Sequence, residues 1–512
     1  MAILDQYGKP VTTSRRMSHA SSDAGARRGA MGGWLGPQVY GENDDVRERV
    51  TMQRRAADLA DNDWAAESIL SSITQNAVGV GLKPRAQIPF EELGISQEQA
   101  LKLGRRMEWL WWKWSTHADV RGQQTFEQLQ FLGLRTMLIY GEMLHIPVML
   151  PESERGYRGL SFSLSIQDVT PTRLRTPASM EADDAVKDGI RMNAWGRPVA
   201  YYIASPESMG KAHLRDGDGT APYSTIPAMR AGRPGVFHLF PHKDSEQVRG
   251  RSILATSIGL FRTLNDAISF ELLAQNMAAE FPVFIEKDNS MNIMGQLPQG
   301  VEQDDDGNYY TDLRGPQIMY GNAGEKPQVL TNERPSANFQ SFVKLVQKAM
   351  SASVGGSYIA MMKDFEGANY SVARAAMNEA WRLYRWYREF FAMSYCQPVW
   401  EAVMEEAWLR DYFTLPAGAP DFYEAKDLWT ACAWNGPARG YMDPTKEVQA
   451  ELMAIEGFLK TRHQSMAENG GDFDEEYPVM VEESKKMKAL SGDSAGNRPV
   501  IEQEEDDEQS SE

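Results

Sequence analysis

The sequence predicts an α+β fold whose second half is built on long helices. Three observations carry that expectation. Apolar residues at helical spacing fill much of residues 46–139. Short β-type runs separated by turn residues follow, to about residue 240. Beyond them, two long helical patterns flank a small β-rich insertion, and an aromatic helix comes next. Hydrophobic residues make up 42% and charged residues 24% of the chain, enough apolar material for a sizeable core. The length of 512 residues suggests about three domains.

Residues 1–40 read as a flexible basic arm, with Lys9, Arg15, Arg16, Arg27 and Arg28 among Ser, Ala and Gly. The start holds no apolar run of the roughly 7–15 residues that a signal peptide needs. From Val46 to Asn76 the pattern is one helix, with Leu59, Ile69, Leu70 and Ile73 recurring between alanines; Gly79, Gly81 and Pro84 stop it. A second helix over about 97–114 ends in MEWLWWKW. Its four tryptophans suggest a buried seam or an interface anchor, core packing being the plainer reading. TFEQ at Thr125–Gln128 is a capping box that opens a helix to about Ile139. HIPVML, LSFSLSIQDV, GIRMNAWGRPVAYYI and GVFHLF read as strands, with turn chemistry at Trp195-Gly196-Arg197-Pro198. Residues 41–255 therefore form one α+β unit.

The region 256–282 is a long helix, Thr256–Phe281, with Leu260, Leu264, Ile268 and Leu272 at every fourth position and Pro282 as its stop. At 1.5 Å per residue it spans about 40 Å. Residues 283–335 are short strands and turns, with Asp306-Gly307 where a tight hairpin wants it. Ser336 caps a helix over 336–353, which puts Phe339, Phe342, Val343, Val346 and Met350 on one face. A polar, Gly-containing loop covers 354–370. The aromatic helix then runs from Ser371 to about Glu406, within 371–420. Met377, Ala380, Trp381, Tyr384, Tyr387, Phe391 and Tyr395 make one apolar face, and Arg382, Arg385 and Arg388 fall beside it. Residues 421–490 hold one more clear helix, from Pro444 to about Lys460. Residues 491–512 end in IEQEEDDEQSSE, seven acids in twelve, a composition expected to stay disordered.

Little chemistry is legible. The P-loop pattern GxxxxGK[ST] is absent, Gly210-Lys211 being followed by Ala212, and GxSxG is absent as well. His238 and His242 are separated by Pro241, which prevents the helix that would turn both to one metal. Asp304, Asp306 and Asn308 imitate the first ligands of a calcium loop, but Tyr309 stands where Gly is required and Gly315 where Glu is required. DGDG at 216–219 fails the same template and reads as a surface loop. Cys396 and Cys432 allow at most one disulfide and no CxxC zinc pair, which suggests a reducing compartment. No apolar run reaches the roughly 18 residues of a membrane span. No cofactor is expected. The net charge of −18 argues against a protein that wraps DNA tightly. Arginines among aromatics can stack bases, yet an apolar stripe at helical spacing fits a core or a subunit interface better. A helical hairpin, a loop and an acidic surface together suggest a part of an assembly.

Six segments, in order over roughly residues 45–490, resemble the lambda-like family of tailed-bacteriophage portal proteins. They are DNDWAAESILSSITQNAVGVGLKPR, YGEM, GIRMNAWGRPVAYYI, HLFPHKDSEQVRGRS, NYSVARAAMNEA and WNGPARGYMDPTKEVQA. Each motif is weak alone; their joint order is specific. There are departures from the family pattern. Ser371 is followed by Val372, where the family often has a second serine. Glu246-Gln247-Val248-Arg249-Gly250 replaces Gly-Gln-x-Arg-Gly. AENGGDFDEEY is longer than usual.

The resemblance implies a portal fold and no enzyme: a ring, usually a dodecamer, at one capsid vertex of the virion, assembled in the host cytoplasm. Double-stranded DNA would pass through it without sequence specificity during packaging and ejection. Residues 41–255 would be the wing, 256–282 and 336–353 the stem helices, 283–335 the clip, 354–370 the tunnel loop and 421–490 the crown, with 371–420 at the wing–crown junction. Met361, Met362, Lys363, Asp364, Phe365, Glu366 and Asn369 would then face DNA. Trp381, Tyr384, Arg385, Tyr387, Arg388 and Phe391 would pack between subunits, where aromatics and Arg are enriched. Asp304, Asp305, Asp306, Asn308, Tyr309 and Tyr310 in the clip would dock the terminase large subunit and later head-completion or tail-connector proteins. Major capsid and scaffold proteins are further implied partners. Twelve copies at −18 each carry −216, a surface that repels a duplex with one charge per about 1.7 Å. Two rival readings stand beside this one. The first is another virion structural or connector protein. The second is a nucleic-acid-processing enzyme, which would need clustered acidic metal ligands.

Overall fold

The computed structural model describes residues 43–205, 223–279, 283–287, 302–303, 309–310, 325–329, 338–440, 443–469, 471 and 473–490. The expected first helix is two: α1 (Asn43–Asn62) and α2 (Trp64–Ala77). Asp63 between them is extended, at φ −114°, and its Oδ1 accepts the amides of Ala65 and Ala66. An N-cap needs a non-helical backbone, so the cap itself forces the break. The short strand β1 (Lys83–Ala86) leads to α3 (Gln97–Ser115), opened by a Ser96–Gln99 capping box. The Thr125–Gln128 box opens α4 (Phe126–Tyr140) as its sequence dictates.

The strands follow as β2 (Met143–Met149) and, after the short α5 (Glu152–Tyr157), β3 (Leu164–Val169). Next come β4 (Val186–Lys187), β5 (Ile190–Met192), β6 (Pro198–Ala204), β7 (Tyr223–Pro227), β8 (Met229–Arg230), β9 (Arg233–Pro234) and β10 (Phe237–Leu239). Three antiparallel sheets result, in the orders β10-β2-β3, β4-β5-β6-β7 and β8-β9. The alternation of β2 joins two cores: Met143 belongs to the helical core and Leu144 and Ile146 to a smaller core with Ile190, Tyr201 and Ile203.

The long helix α6 (Ile258–Ala279) ends in β11 (Val283–Lys287). β12 (Glu302–Gln303) pairs with β13 (Tyr309–Tyr310), and β14 (Glu325–Val329) pairs antiparallel with β11. The chain returns as α7 (Phe339–Ser353), with Asn338 at its cap position; Ser336, the expected cap, lies outside the described residues. Ser353 at the end of α7 donates to Ser257 at the start of α6, at 2.9 Å. The helices therefore run antiparallel, tied at one end by these serines and at the other by the β11–β14 pair.

The loop expected after α7 contains a short helix, α8 (Tyr358–Met362). The aromatic helix is α9 (Tyr370–Phe391), continued through a π-turn, Ala392–Cys396, into α10 (Gln397–Leu409). Pro398 lacks the N–H that would bond the Ser394 carbonyl, and the wider turn absorbs the loss. Then follow α11 (Lys426–Trp429), β15 (Cys432–Asn435) paired with β1, and α12 (Pro444–Glu456), capped by Asp443. The helices α13 (Arg462–Glu468) and α14 (Phe473–Leu490) were not legible in the sequence. Trp114, Trp400, Trp429, Tyr384 and Tyr395 are among the largest fully buried side chains. Both cysteines are free. Among the described residues, no helix is long and apolar enough to cross a membrane.

Candidate assembly and DNA-facing surfaces

The YGEM and VRGRS segments meet in a buried polar node. Gly141 ends α4 with φ +88°, and a Cβ there would lie 2.2 Å from the Arg251 backbone. A Cβ on Gly250 would lie 2.0 Å from the Gly141 carbonyl, so only glycine lets the two segments touch. That contact delivers Arg249 to Glu142. Its Nη2 and Nε reach the two carboxylate oxygens at 2.5 and 2.8 Å. Glu142 also accepts from His238 Nε2 at 2.9 Å, from Gln53 at 3.2 Å and from the Gly250 amide at 3.2 Å. Arg249 donates further to the carbonyls of Pro171, Leu174 and Asp188, and Arg49 pairs with Asp188 at 2.6 Å. Burial alone would raise the Glu142 carboxyl; the Arg249 charge and the bonds from His238 and Arg249 overcome it and hold it well below the usual range. Burial lowers His238 despite its carboxylate partner, leaving a neutral ring that donates Nε2–H. The node is a structural clamp for the sheets, and His238 is its ligand rather than a metal's. Among the described residues, no group of His, Cys, Asp or Glu is placed to hold a metal ion.

The expected DNA-facing loop divides in two. Met361 is fully buried, and Met362 packs against the same core. Ser68 donates to the Met361 carbonyl at 2.6 Å and Ser72 to that of Ala360 at 3.4 Å. Met361 is thus an anchor of α8, a correction to its expected place on a DNA-facing surface, while Met362 is half-buried beside it. Burial follows from helical spacing inside what reads as a polar loop. Lys363 closes α8 in a left-handed conformation, φ +57°, and is exposed, as are Phe365 and Glu366. Asp364 is half-buried. It accepts the Tyr358 hydroxyl at 2.6 Å, a bond that, with the Glu366 amide and Lys344, lowers its pKa. Lys344 on α7 reaches Glu366 at 2.6 Å and Asp364 at 3.5 Å. Asn369 is exposed and caps α9 by accepting the Val372 amide. The tip 363–367 is therefore latched to the hairpin by a lysine that the sequence did not single out.

The aromatic helix is turned mainly into its own chain. Tyr384 is buried with its hydroxyl 2.7 Å from Ser72 Oγ, and Tyr387 and Phe391 are buried in the core. Arg388 donates to the carbonyls of Asn76, Ala77 and Pro437 at 2.8–3.0 Å and lies over the Trp381 ring at 5.0 Å. Burial lowers its pKa. These four side chains were expected between subunits and are instead spent inside the chain. The same period that makes a subunit seam makes a core stripe, and it does not say which. Trp381 is half-buried. Arg385 is exposed and pairs with Glu389 one turn on, at 2.7 Å. Trp386 is 49% exposed and stacks on Phe390.

The hairpin carries the larger uncovered surface. On α6, Phe270, Leu272 and Leu273 are 70%, 55% and 56% exposed, and on α7 Phe342 and Leu345 are 42% and 65% exposed. Leu264, from the expected stripe, is buried, as are Val346 and Met350. Of the expected clip residues, Asp304, Asp305, Asp306 and Asn308 lie outside the described residues. Tyr309 and Tyr310 form β13, opposite Gln303 and Glu302.

A family model described as phage portal protein, lambda family, matches residues 27–388. Portal protein B of Escherichia phage lambda is 24% identical over 456 residues, which cover 85% of this chain and 83% of that protein. The portal protein of Escherichia phage N15 is 22% identical over 499 residues, covering 93% and 92%. Among solved structures, a chain in the neck of an empty GTA particle, computed with C6 symmetry, aligns with 86% of this chain and 97% of its own. The sequence identity there is 13% and the TM-score 0.46.

Proposed function

The chain belongs to the lambda family of phage portal proteins, structural components of the virion rather than enzymes, and on that premise we propose that its copies close into a ring around a DNA channel. Twelve copies is the number the resemblance favours. The observation that carries the reading is the apolar surface left uncovered on the α6–α7 hairpin, Phe270, Leu272, Leu273, Phe342 and Leu345. A monomer in water gains nothing from such a stripe; a ring of hairpins buries it between neighbours. Trp381, Arg385 and Trp386 on α9 extend the same seam. The exposed tip of the loop, Lys363 and Phe365 above all, lines the channel. The strand-paired end of the hairpin, with 304–310, docks the terminase large subunit and later connector proteins. Capsid and scaffold proteins meet the outer surface.

Native mass and negative-stain images of the purified chain test this. Rings of about twelve subunits with a central hole are expected. Phe270→Ser combined with Leu345→Ser keeps the helical circular-dichroism signal and shifts the mass to the monomer. A wild-type chain that stays monomeric or dimeric in every salt condition overturns the ring.

A further inference from the structure

One face of α3 gathers cations and tryptophans on the surface of an acidic chain. Leu101, Trp109 and Trp112 are 42%, 45% and 61% exposed. Lys102, Arg106 and Lys113 are exposed beside them. Arg106 lies over the Trp109 ring at 4.6 Å and Lys113 at 5.5 Å. Arg106 also donates to the Tyr412 carbonyl at 2.9 Å, which holds its charge in place. Of the two acids of the helix, Glu108 lines a hollow beside Leu101 together with Arg85 and Arg105. Glu98 is in the first turn, and Glu108 accepts the Ala86 amide at 2.7 Å. Hollows of about 210 Å³ beside Leu101 and about 180 Å³ beside Trp112 flank the face.

The C-terminal helices run up to it. His463 of α13 lines the first hollow and packs on Phe473, at the start of α14, with ring centroids 5.4 Å apart. The 18 residues of α14 carry the chain about 27 Å onward. The stretch 491–501 spans up to about 36–40 Å when extended, enough to return along the helix. It delivers the apolar pair Val500-Ile501, followed by seven acids within 501–512.

We propose that residues 500–512 dock on this face of the same chain, Val500 and Ile501 against the tryptophans and the carboxylates against Lys102, Arg106 and Lys113. Tethering supplies an effective concentration in the millimolar range, so each contact can be individually weak. The segment is a tethered, salt-sensitive cover for an otherwise exposed tryptophan pair, and it stands apart from the ring reading.

The test uses the full chain and a variant in which Glu504, Glu505, Asp506, Asp507 and Glu508 become the matching amides. Acrylamide quenching of tryptophan emission rises in the variant, and the rise disappears when both chains also carry Trp109→Phe and Trp112→Gln. A labelled peptide of residues 497–512 binds the variant at low salt, and binds about tenfold more weakly once Lys102→Glu and Lys113→Glu are added. Absence of peptide binding, or equal binding to the charge-reversed chain, overturns the proposal. So does protection that persists in the variant and grows with protein concentration, which assigns the face to a second copy.

Discussion

Glu142 is the residue whose loss should be felt most. It is a fully buried carboxylate held by a two-pronged Arg249 contact and three further donors. Removing one partner of a buried ion pair leaves the other charge uncompensated, at a cost of roughly 3–5 kcal/mol. Glu142→Gln is therefore expected to lower the unfolding free energy at pH 7, read from denaturant titrations, by about that much. Replacing the pair with apolar residues does not rescue it, because Arg249 also serves the carbonyls of Pro171, Leu174 and Asp188. The pH dependence has a definite sign. The folded carboxyl sits well below its unfolded value of about 4.3, so its contribution is complete above that value and is lost as pH falls through the folded pKa. The gap between wild type and Glu142→Gln, followed by thermal melts, should narrow below about pH 4. A gap that stays constant down to acid would mean that Glu142 is not the charged member of the node.

At the scale of elements, two joints set the geometry of the hairpin. Asp63 caps α2 with one oxygen and accepts Asn265 of α6 with the other, at 2.6 Å. Asp63→Ala should lose about 1–2 kcal/mol of stability in urea titrations, with Asp63→Asn losing less because an amide oxygen still caps. The second joint is the Lys344 latch on Asp364 and Glu366. Lys344→Ala should speed amide exchange at 363–368 without changing it in α9. Unchanged loop exchange would show that the latch does not hold. These joints also mark where sequence reading stops. The helical periods of α3, α4 and α9 were legible because each buries one stripe; those of α6 and α7 were legible although Leu272 and Phe342 of their stripes stay exposed. The capping box at Thr125 was legible as local chemistry. Asp63 falls inside the single helical pattern read over 46–76, since nothing in that period distinguishes a cap from a solvated turn. The Glu142–Arg249 pair joins residues 107 apart. No period reports such a pair, and it shows only as two short motifs awaiting a partner. The five residues of α8 were too few to stand out from a polar loop. The aromatic stripe of α9 was read correctly as a stripe and assigned to a partner, whereas Tyr384, Tyr387 and Phe391 belong to the chain's own core.

For the whole molecule, the proposed channel raises the question of how an acidic protein would pass a duplex without holding it. With a net charge of −18 per chain, a ring repels DNA over a distance set by the Debye length, about 8 Å at physiological salt. In the proposed channel, local contact would depend on side chains that project from the wall, and the exposed tip 363–367 is the segment we propose for it. The structure decides how to test the idea. Deleting from Met361 would pull a buried side chain out of the core and break the contacts of Ser68 and Ser72, so failure would say only that the subunit misfolds. Deleting 363–368 would spare Met361 and Met362, and would keep Asn369 as the cap of α9. That variant is expected to melt like the wild type and to form the same rings, and to differ only in particles that package DNA, as a shorter retained length. Lys363→Glu should act in the same direction, because in a ring of about twelve copies one substitution moves the channel by about 24 charges. Normal retained length in both variants would remove the tip from the DNA path and turn attention to other exposed cations. Lost rings in the deletion variant alone would instead make the tip part of the seam between subunits, and the unchanged fold of the Lys363→Glu chain would keep the two outcomes apart.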